Sequence, residues 1–456
     1  MALSLSAVGY TCCVLAVLTL GKGGRRWPVC TLLDDSWREH ARNLSGQGRL
    51  SVRDVTCALQ CDDNEPVLEK HLLPYAGNNI ILPLSTLKHY CNLEKEHVHP
   101  VLTVAVALVN GTVYWRKCND DGDSEMCMNP LLDSHTWGWL KMVQEIAETV
   151  YLPNRLFMVQ CGDQPQISKS AYPPSPVFHS EGGHDIWNIP WLNPFHLAAL
   201  YEGSLENRDR PFKVAWRRKV GKVYWRGQLC MPDSTPLSDA AQLPRIRMFE
   251  VARQSPELFD IAITGVDEAM AEEWDVDMVN KLVRKHGVRT AKYEPIDVYG
   301  PKFKYLLNVD GVTSSWRLPS LLASGSVLLL QESVTWELLH EHLTPWHHFV
   351  PIKADLSNIL ETVSYLEAHQ EEAERIAVAG GQFFSKRMRA EDLYCFAIRS
   401  LVSLGDPGAQ VTSESLSNLG FRKAPNLQGA TEHFEDMKHR SLHERISLGL
   451  AEHSEL

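Results

Sequence analysis

Between residues 222 and 366, short runs of aliphatic and aromatic residues alternate with segments whose apolar side chains recur every three or four positions. Lys222 to Arg226, Leu258 to Thr264, Tyr305 to Val309 and Val327 to Leu330 read as strands. Pro244 to Gln254, Leu318 to Ala323 and Trp336 to His342 read as helices, the second closed by Gly325. Asp355 is expected to cap a further helix, whose Leu356, Ile359, Leu360, Val363 and Leu366 share one face. Strands that are apolar along their whole length are buried on both sides, and strands joined through helices pair in parallel. This half of the chain therefore predicts a doubly wound α/β sheet.

The first half follows a related rhythm. Val101 to Val109, Asn110-Gly111 and Thr112 to Trp115 form a hairpin signal, because Asn-Gly supplies the positive φ values of a tight type I′ turn. A helix over Trp137 to Val150 leads to a strand, Leu156 to Val159, that ends at Cys161-Gly162-Asp163. Pro173 to Pro194 is rich in Pro, Gly and Trp, which excludes a long helix and places the crossing between two lobes near or just beyond it. The 456 residues divide into an apolar leader over 1–24, a Cys-rich lobe over 27–195, a second lobe over 210–402 and a polar tail over 403–456.

Ala2 to Leu20 carries no charge and precedes Lys22, Arg25 and Arg26, which reads as a secretory signal peptide, with an uncleaved anchor as the alternative. Asn43-Leu44-Ser45 and Asn110-Gly111-Thr112 are glycosylation acceptors on that route. Of the nine cysteines that follow the leader, seven precede residue 162, which predicts disulfides bracing the first lobe. No second Cys or His pair follows Cys57-x3-Cys61 at finger spacing, so zinc is not expected. His453-Ser454-Glu455-Leu456 resembles the retrieval signal of the endoplasmic reticulum and predicts a retrieval-receptor partner. A formal charge of −11 excludes an electrostatic grip on nucleic acid.

Three constellations carry chemistry. In Asn308-Val309-Asp310-Gly311-Val312-Thr313-Ser314-Ser315-Trp316-Arg317 a strand runs through a small-residue loop into a helix, which suits a phosphate held by backbone amides, hydroxyls and Arg317. The bland alternative makes Ser314 an N-cap and Arg317 a surface cation. In Trp225-Arg226-Gly227 an arginine at a strand end adjoins a glycine that lets backbone approach a ligand, and Arg245 with Arg247 opens the next helix, where a cation is unfavourable without a nearby anion. In Cys161-Gly162-Asp163-Gln164-Pro165 a carboxylate stands at a strand's C-terminal end, as a general base or as a turn-former.

These pieces in this order resemble the protein O-glucosyltransferase (Rumi-like) family, which also includes capsule xylosyltransferases and is glycosyltransferase family 90. The similarity runs from about residue 130 to 402 and is densest from Lys304 to Arg375, where Asn308-Val309-Asp310-Gly311, Trp316-Arg317-Leu318-Pro319 and Pro345-Trp346-His347-His348-Phe349-Val350-Pro351 stand. The resemblance implies a GT-B fold of two Rossmann-like lobes with the active site in the cleft between them. It also implies a UDP-sugar donor, inversion at the anomeric carbon and no metal or other cofactor. It makes Asp163 the general base, and Arg226 with Arg317 the holders of the donor diphosphate; Gly227, Arg245, Gly311, Ser314 and Ser315 line the same place. Ser180 to Pro190 departs from the animal members, and within it His184 and Asp185 are candidates to touch acceptor or donor. The expected reaction moves glucose or xylose to a Ser/Thr hydroxyl of a protein in the lumen of the endoplasmic reticulum. The alternatives are a signal-anchored Golgi polysaccharide xylosyltransferase and a non-catalytic lumenal module that binds glycans or client proteins.

Overall fold

In the computed structural model of the chain, the residues described are 49–61, 70, 87, 103–118, 134–162, 164–170, 176–193, 196–197, 214–230, 242–266, 281, 284–405, 407 and 411–425. The leader, Asn43, the terminal tetrapeptide and Asp163 lie outside them.

The second lobe is built on strands β7 (Val220–Leu229), β8 (Phe259–Val266), β9 (Phe303–Asn308), β10 (Val327–Gln331) and β12 (Val350–Ile352). They pair in the order β12-β10-β9-β7-β8, every pair parallel. Alternation along each strand explains the uniform hydrophobicity. Val223, Trp225, Tyr305, Leu307, Val327 and Leu329 enter one core cluster, while Tyr224, Leu306, Leu328 and Leu330 enter another on the opposite face. The first face is covered by helices over Pro244–Ala252, Ile359–Ala368 and Gln370–Arg387. The helix over Ile359–Ala368 starts later than expected, with Asn358 at its N-cap. Leu356 has φ +59, a left-handed conformation that a helix cannot pass through, and Asp355 accepts instead from the Ser357 amide at 3.0 Å.

The first lobe carries a mixed sheet rather than a purely parallel one. Strands β1 (Thr103–Val109) and β2 (Thr112–Cys118) form the predicted hairpin, with Asn110 and Gly111 at φ +50 and +75. Next to β1 lie β3 (Arg155–Gln160), antiparallel, then β4 (Val177–His179) and β6 (Ile189–Pro190), both parallel. A helix over Ser134–Thr149 covers one face through Met142, Val143 and Ile146.

The chain past residue 389 returns to the first lobe. The helix Ala390–Ser403 packs on the helix Ser134–Thr149, where the Tyr394 hydroxyl donates to Glu145, and Arg155 Nε donates to the Leu401 carbonyl at 2.8 Å. Cys395 is bonded to Cys61 across 334 residues. Part of the expected polar tail is likewise structured: Ser413–Asn418 is a helix capped by Thr412, and β13 (Arg422–Lys423) pairs with β2 as an edge strand. Its Leu416 and Phe421 are buried, which weakly patterned sequence does not announce.

Two short strands join the lobes. β5 (Glu181–Gly183) pairs antiparallel with β11 (Thr335–Glu337), in register Thr335↔Gly183, Trp336↔Gly182 and Glu337↔Glu181. Sequence periodicity makes Trp336 to His342 a helix; in the fold, pairing with β5 draws residues 335–337 into a strand, and only a 3₁₀ turn over Leu338–His342 remains. Replacing both Cys61 and Cys395 by Ser should lower stability by about 2–4 kcal/mol, the range typical of a disulfide that closes a long loop, read from urea unfolding of the oxidised proteins.

Candidate active site at the junction of the lobes

The strand order of the second sheet reverses direction between β7 and β9: the chain moves from β7 out to β8, then crosses back to build β9, β10 and β12 on the other side. The loops leaving the C-terminal ends of the two strands at such a point diverge, and the crevice between them is where open α/β sheets bind ligands. Here those ends are Gly227 to Cys230 and Asn308 to Gly311, so the two arginine-glycine motifs noticed separately in the sequence meet at one place.

Arg317 reaches across this crevice. Its Nη1 donates to the Arg226 carbonyl, its Nε donates to Ser315 Oγ at 3.1 Å, and the guanidinium lies 5.4 Å from the Trp225 ring centre. Burial pushes its pKa down to about 10, which leaves it a cation at neutral pH. A Cβ at residue 227 would come within 2.7 Å of the Trp225 ring and 3.4 Å of Arg317 Nη2, so only glycine permits this approach.

Arg245 is also here, but its guanidinium is spent on backbone. Nε donates to the Asp310 carbonyl at 2.9 Å and Nη1 to the Gln228 carbonyl at 2.7 Å, and the thiol of Cys230 lies 2.6 Å from Nη1. Those carbonyls supply the negative partner that the helix-start position called for, and they tie the ends of β7 and β9 together. Gly311 is needed for the same clamp, since a Cβ there would lie 2.5 Å from Arg245 Nη2.

The Arg226 side chain goes elsewhere. It folds over the Tyr224 ring at 4.3 Å, and Nη2 pairs with Asp260 on β8 at 2.8 Å. At this junction it therefore contributes its carbonyl, and its charge is matched within the sheet.

The loop 311–317 does not cap the next helix with Ser314. That helix is one short turn, Leu318–Leu322, with Arg317 at its N-cap and no side-chain cap. The polar groups of the loop turn instead to the other lobe. Glu181 Oε1 accepts from Ser314 Oγ at 2.8 Å, Thr313 Oγ1 at 2.9 Å and Trp316 Nε1 at 2.7 Å. Glu181 is 0% exposed. Desolvation raises its pKa to about 7, against the pull of hydrogen bonds from Ser314, Thr335, Trp316 and Thr313. Asp310 is raised to about 7 for the same leading reason.

Behind Glu181 stands His179, also 0% exposed. Its Nδ1 accepts from the Glu181 amide at 2.9 Å, which leaves Nε2 to donate to the Gly162 carbonyl at 3.0 Å. Gly162, at φ +91, immediately precedes Asp163. On the other side of Asp163, Gln160 Nε2 donates to the Gln164 carbonyl at 2.6 Å and Gln160 Oε1 accepts from the Gln166 amide at 3.0 Å. Both flanks of the expected base are thus pinned, one through His179 and one through Gln160. His184 and Asp185 form an exposed turn at the end of β5, with the His184 ring edge-on to Trp336 at 4.6 Å. Sequence reading missed His179, Glu181 and Gln160, because nothing in Gln160 or in Phe178-His179-Ser180-Glu181 distinguishes a buried network from a polar loop.

The model of glycosyl transferase family 90 matches residues 60–404. The chain belongs to this family. The match reaches further towards the N-terminus than the motifs alone, which begin near residue 130. Among curated relatives, protein O-glucosyltransferase 2 of Danio rerio is 29% identical over 55% of this chain and 47% of its own length. Protein O-glucosyltransferase 1 of Homo sapiens is 28% identical over 54% of this chain and 60% of its own, and protein O-glucosyltransferase 3 of Homo sapiens 25% identical over 74% and 61%. The chain thus spans about half to three-fifths of the length of the curated relatives it matches. Among solved structures, Anabaena HepE in complex with UDP-glucose is similar over 40% of this chain and 49% of its own, at 9% identity and a TM-score of 0.31. Two α/β lobes joined through β5 and β11 are the GT-B arrangement that the resemblance implied.

The buried carboxyl of Glu181 makes a testable demand on stability. Its folded-state pKa, about 7, lies above the ordinary 4.5 of an unfolded glutamate, so the stability it contributes is present below the lower value and lost as pH rises through the higher. Glu181→Gln removes this titration. Relative to the parent, the variant should gain about 1–3 kcal/mol between about pH 5 and about pH 8, measured as the difference between their urea unfolding free energies. A difference that stays flat across that range contradicts the placement of the carboxyl.

Proposed function

We propose that this protein is an inverting glycosyltransferase that moves glucose or xylose from a UDP-sugar to a Ser/Thr hydroxyl of a protein in the lumen of the endoplasmic reticulum. The observation that carries the reading is the crevice at the β7/β9 switch point, lined by Gly227, Gly311 and a partly buried Arg317, in a chain of glycosyl transferase family 90. Asp163 is the general base: it takes the acceptor proton as the hydroxyl oxygen attacks the anomeric carbon and the bond to UDP breaks. Arg317, supported by Ser315, meets the negative charge that grows on the departing diphosphate, where a fixed cation out of bulk water acts most strongly. Arg245 holds the ends of β7 and β9 at the spacing the donor needs, and the Arg226 carbonyl orients Arg317. With these cations in place the reaction is proposed to need no metal. His184 and Asp185, exposed at the end of the interlobe strand, are proposed to touch the acceptor or the donor.

The location rests on the apolar leader, the retrieval-like terminus with its receptor, and disulfide bonding at Cys57, Cys61, Cys118, Cys161 and Cys395, which suits an oxidising lumen. Among the described residues, no helix is long and apolar enough to cross a membrane.

The test is UDP release by the purified protein, with UDP-sugars and lumenal acceptor proteins supplied as panels and products weighed by mass spectrometry. Arg317→Ala should lower kcat/KM by about 10²-fold, in line with loss of one preorganised group facing developing charge, and Asp163→Asn should leave almost no turnover. Absence of UDP release with every donor, or full activity in Asp163→Asn, overturns the reading.

A further inference from the structure

We infer that Glu181 is a positioning residue: contributed by the first lobe, it shapes the 311–317 loop of the second, so that the donor site is complete only when the two lobes are joined. This rests on the donor reading above and deepens it.

Three observations lead here. The first is convergence: three side-chain donors spaced along residues 313–316 all bond one carboxylate oxygen from a residue more than 130 positions away. A loop of small hydroxyl residues has many conformations open to it. Three bonds to a single point select one, and that one presents Ser315 and Arg317 to the crevice. The second is anchorage. Glu181 lies in the interlobe pair β5–β11, and His179 accepts from its amide while donating to the Gly162 carbonyl, so a continuous hydrogen-bonded path runs from the flank of Asp163 to the donor loop. The third is reciprocity. Glu337, the cross-strand neighbour of Glu181, comes from the second lobe and accepts from Asn193 of the first, with His196 Nε2 at 3.2 Å. Each lobe sends one fully buried glutamate to receive donors of the other.

Burying a carboxylate is unfavourable to folding, and a neutral residue of the same shape is often as stable or more so. A purely structural role would be filled as well by glutamine. A charge that strengthens three hydrogen bonds to the loop carrying Arg317 is explained by what the loop must hold.

Titration calorimetry with UDP at about pH 8, beside thermal unfolding of the same preparations, separates the two roles. Glu181→Gln is expected to weaken UDP binding at least fivefold while the melting temperature stays level or rises. Trp316→Phe, which removes one donor and keeps the carboxylate, is expected to weaken it less, and the two changes together should fall short of the product of their separate effects. In turnover the loss should appear in KM for the UDP-sugar, with kcat within about threefold. Parental UDP binding that both variants retain in full overturns this inference alone. Weakened binding matched by an equal loss of folded protein also overturns it, because that is the outcome of a structural role. Failure of the parent itself to bind UDP overturns the donor reading, and this inference with it.

Discussion

A carboxylate with no access to water must find its solvation within the protein, and at Glu181 the three side chains that donate to Oε1 all belong to the opposite lobe. Thr313, Ser314 and Trp316 can meet that oxygen only if the lobes stand at one separation and the loop after β9 takes one path. The pairing of β5 with β11 sets the separation through backbone, and Glu337 repeats the arrangement in the reverse sense through Asn193 and His196. Much of the remaining junction follows from these bonds: the aim of Arg317, the placing of Ser315, and the fixed distance between the strand that ends at Gln160 and the strand that ends at Asn308.

The arginines at the junction divide the work by what surrounds them. Arg245 faces carbonyls, which satisfy its planar fork and hold two strand ends together. Arg226 faces Asp260 and an aromatic ring, and its charge is matched within the sheet. Among the described residues Arg317 bonds a carbonyl and the hydroxyls of Ser315 and Tyr299 and no carboxylate, which leaves positive charge at the crevice. Three side chains of one chemical type thus act as a clamp, an internal pair and a candidate phosphate holder.

The same division marks how far the chain could be read in one dimension. Strands β1, β2, β3, β7, β8, β9 and β10 and the helices over Ser134–Thr149 and Pro244–Ala252 were legible because their own residues display the apolar runs or periodic faces that mark them. Residues 335–337 were not, since their extended shape comes from a partner more than 150 positions away, and neither was β13, whose two residues are strand only because β2 offers an edge. Asp355 failed as a cap because Leu356 next to it is turned into a left-handed conformation to reach the core.

Sequence by itself determined the two α/β lobes, the hairpin tip at Asn110-Gly111, the family, and the residues whose types suit a diphosphate, since local hydrophobic spacing and contiguous motifs survive without coordinates. Only the tertiary structure decided which arginine keeps its charge exposed to the crevice, that the helix over Ala390–Ser403 belongs in space with the first lobe, and that Glu181 and His179 link the two halves of the site. The physical reason is that the state and role of a polar group depend on which atoms replace its water, and those atoms come from segments far apart in the chain.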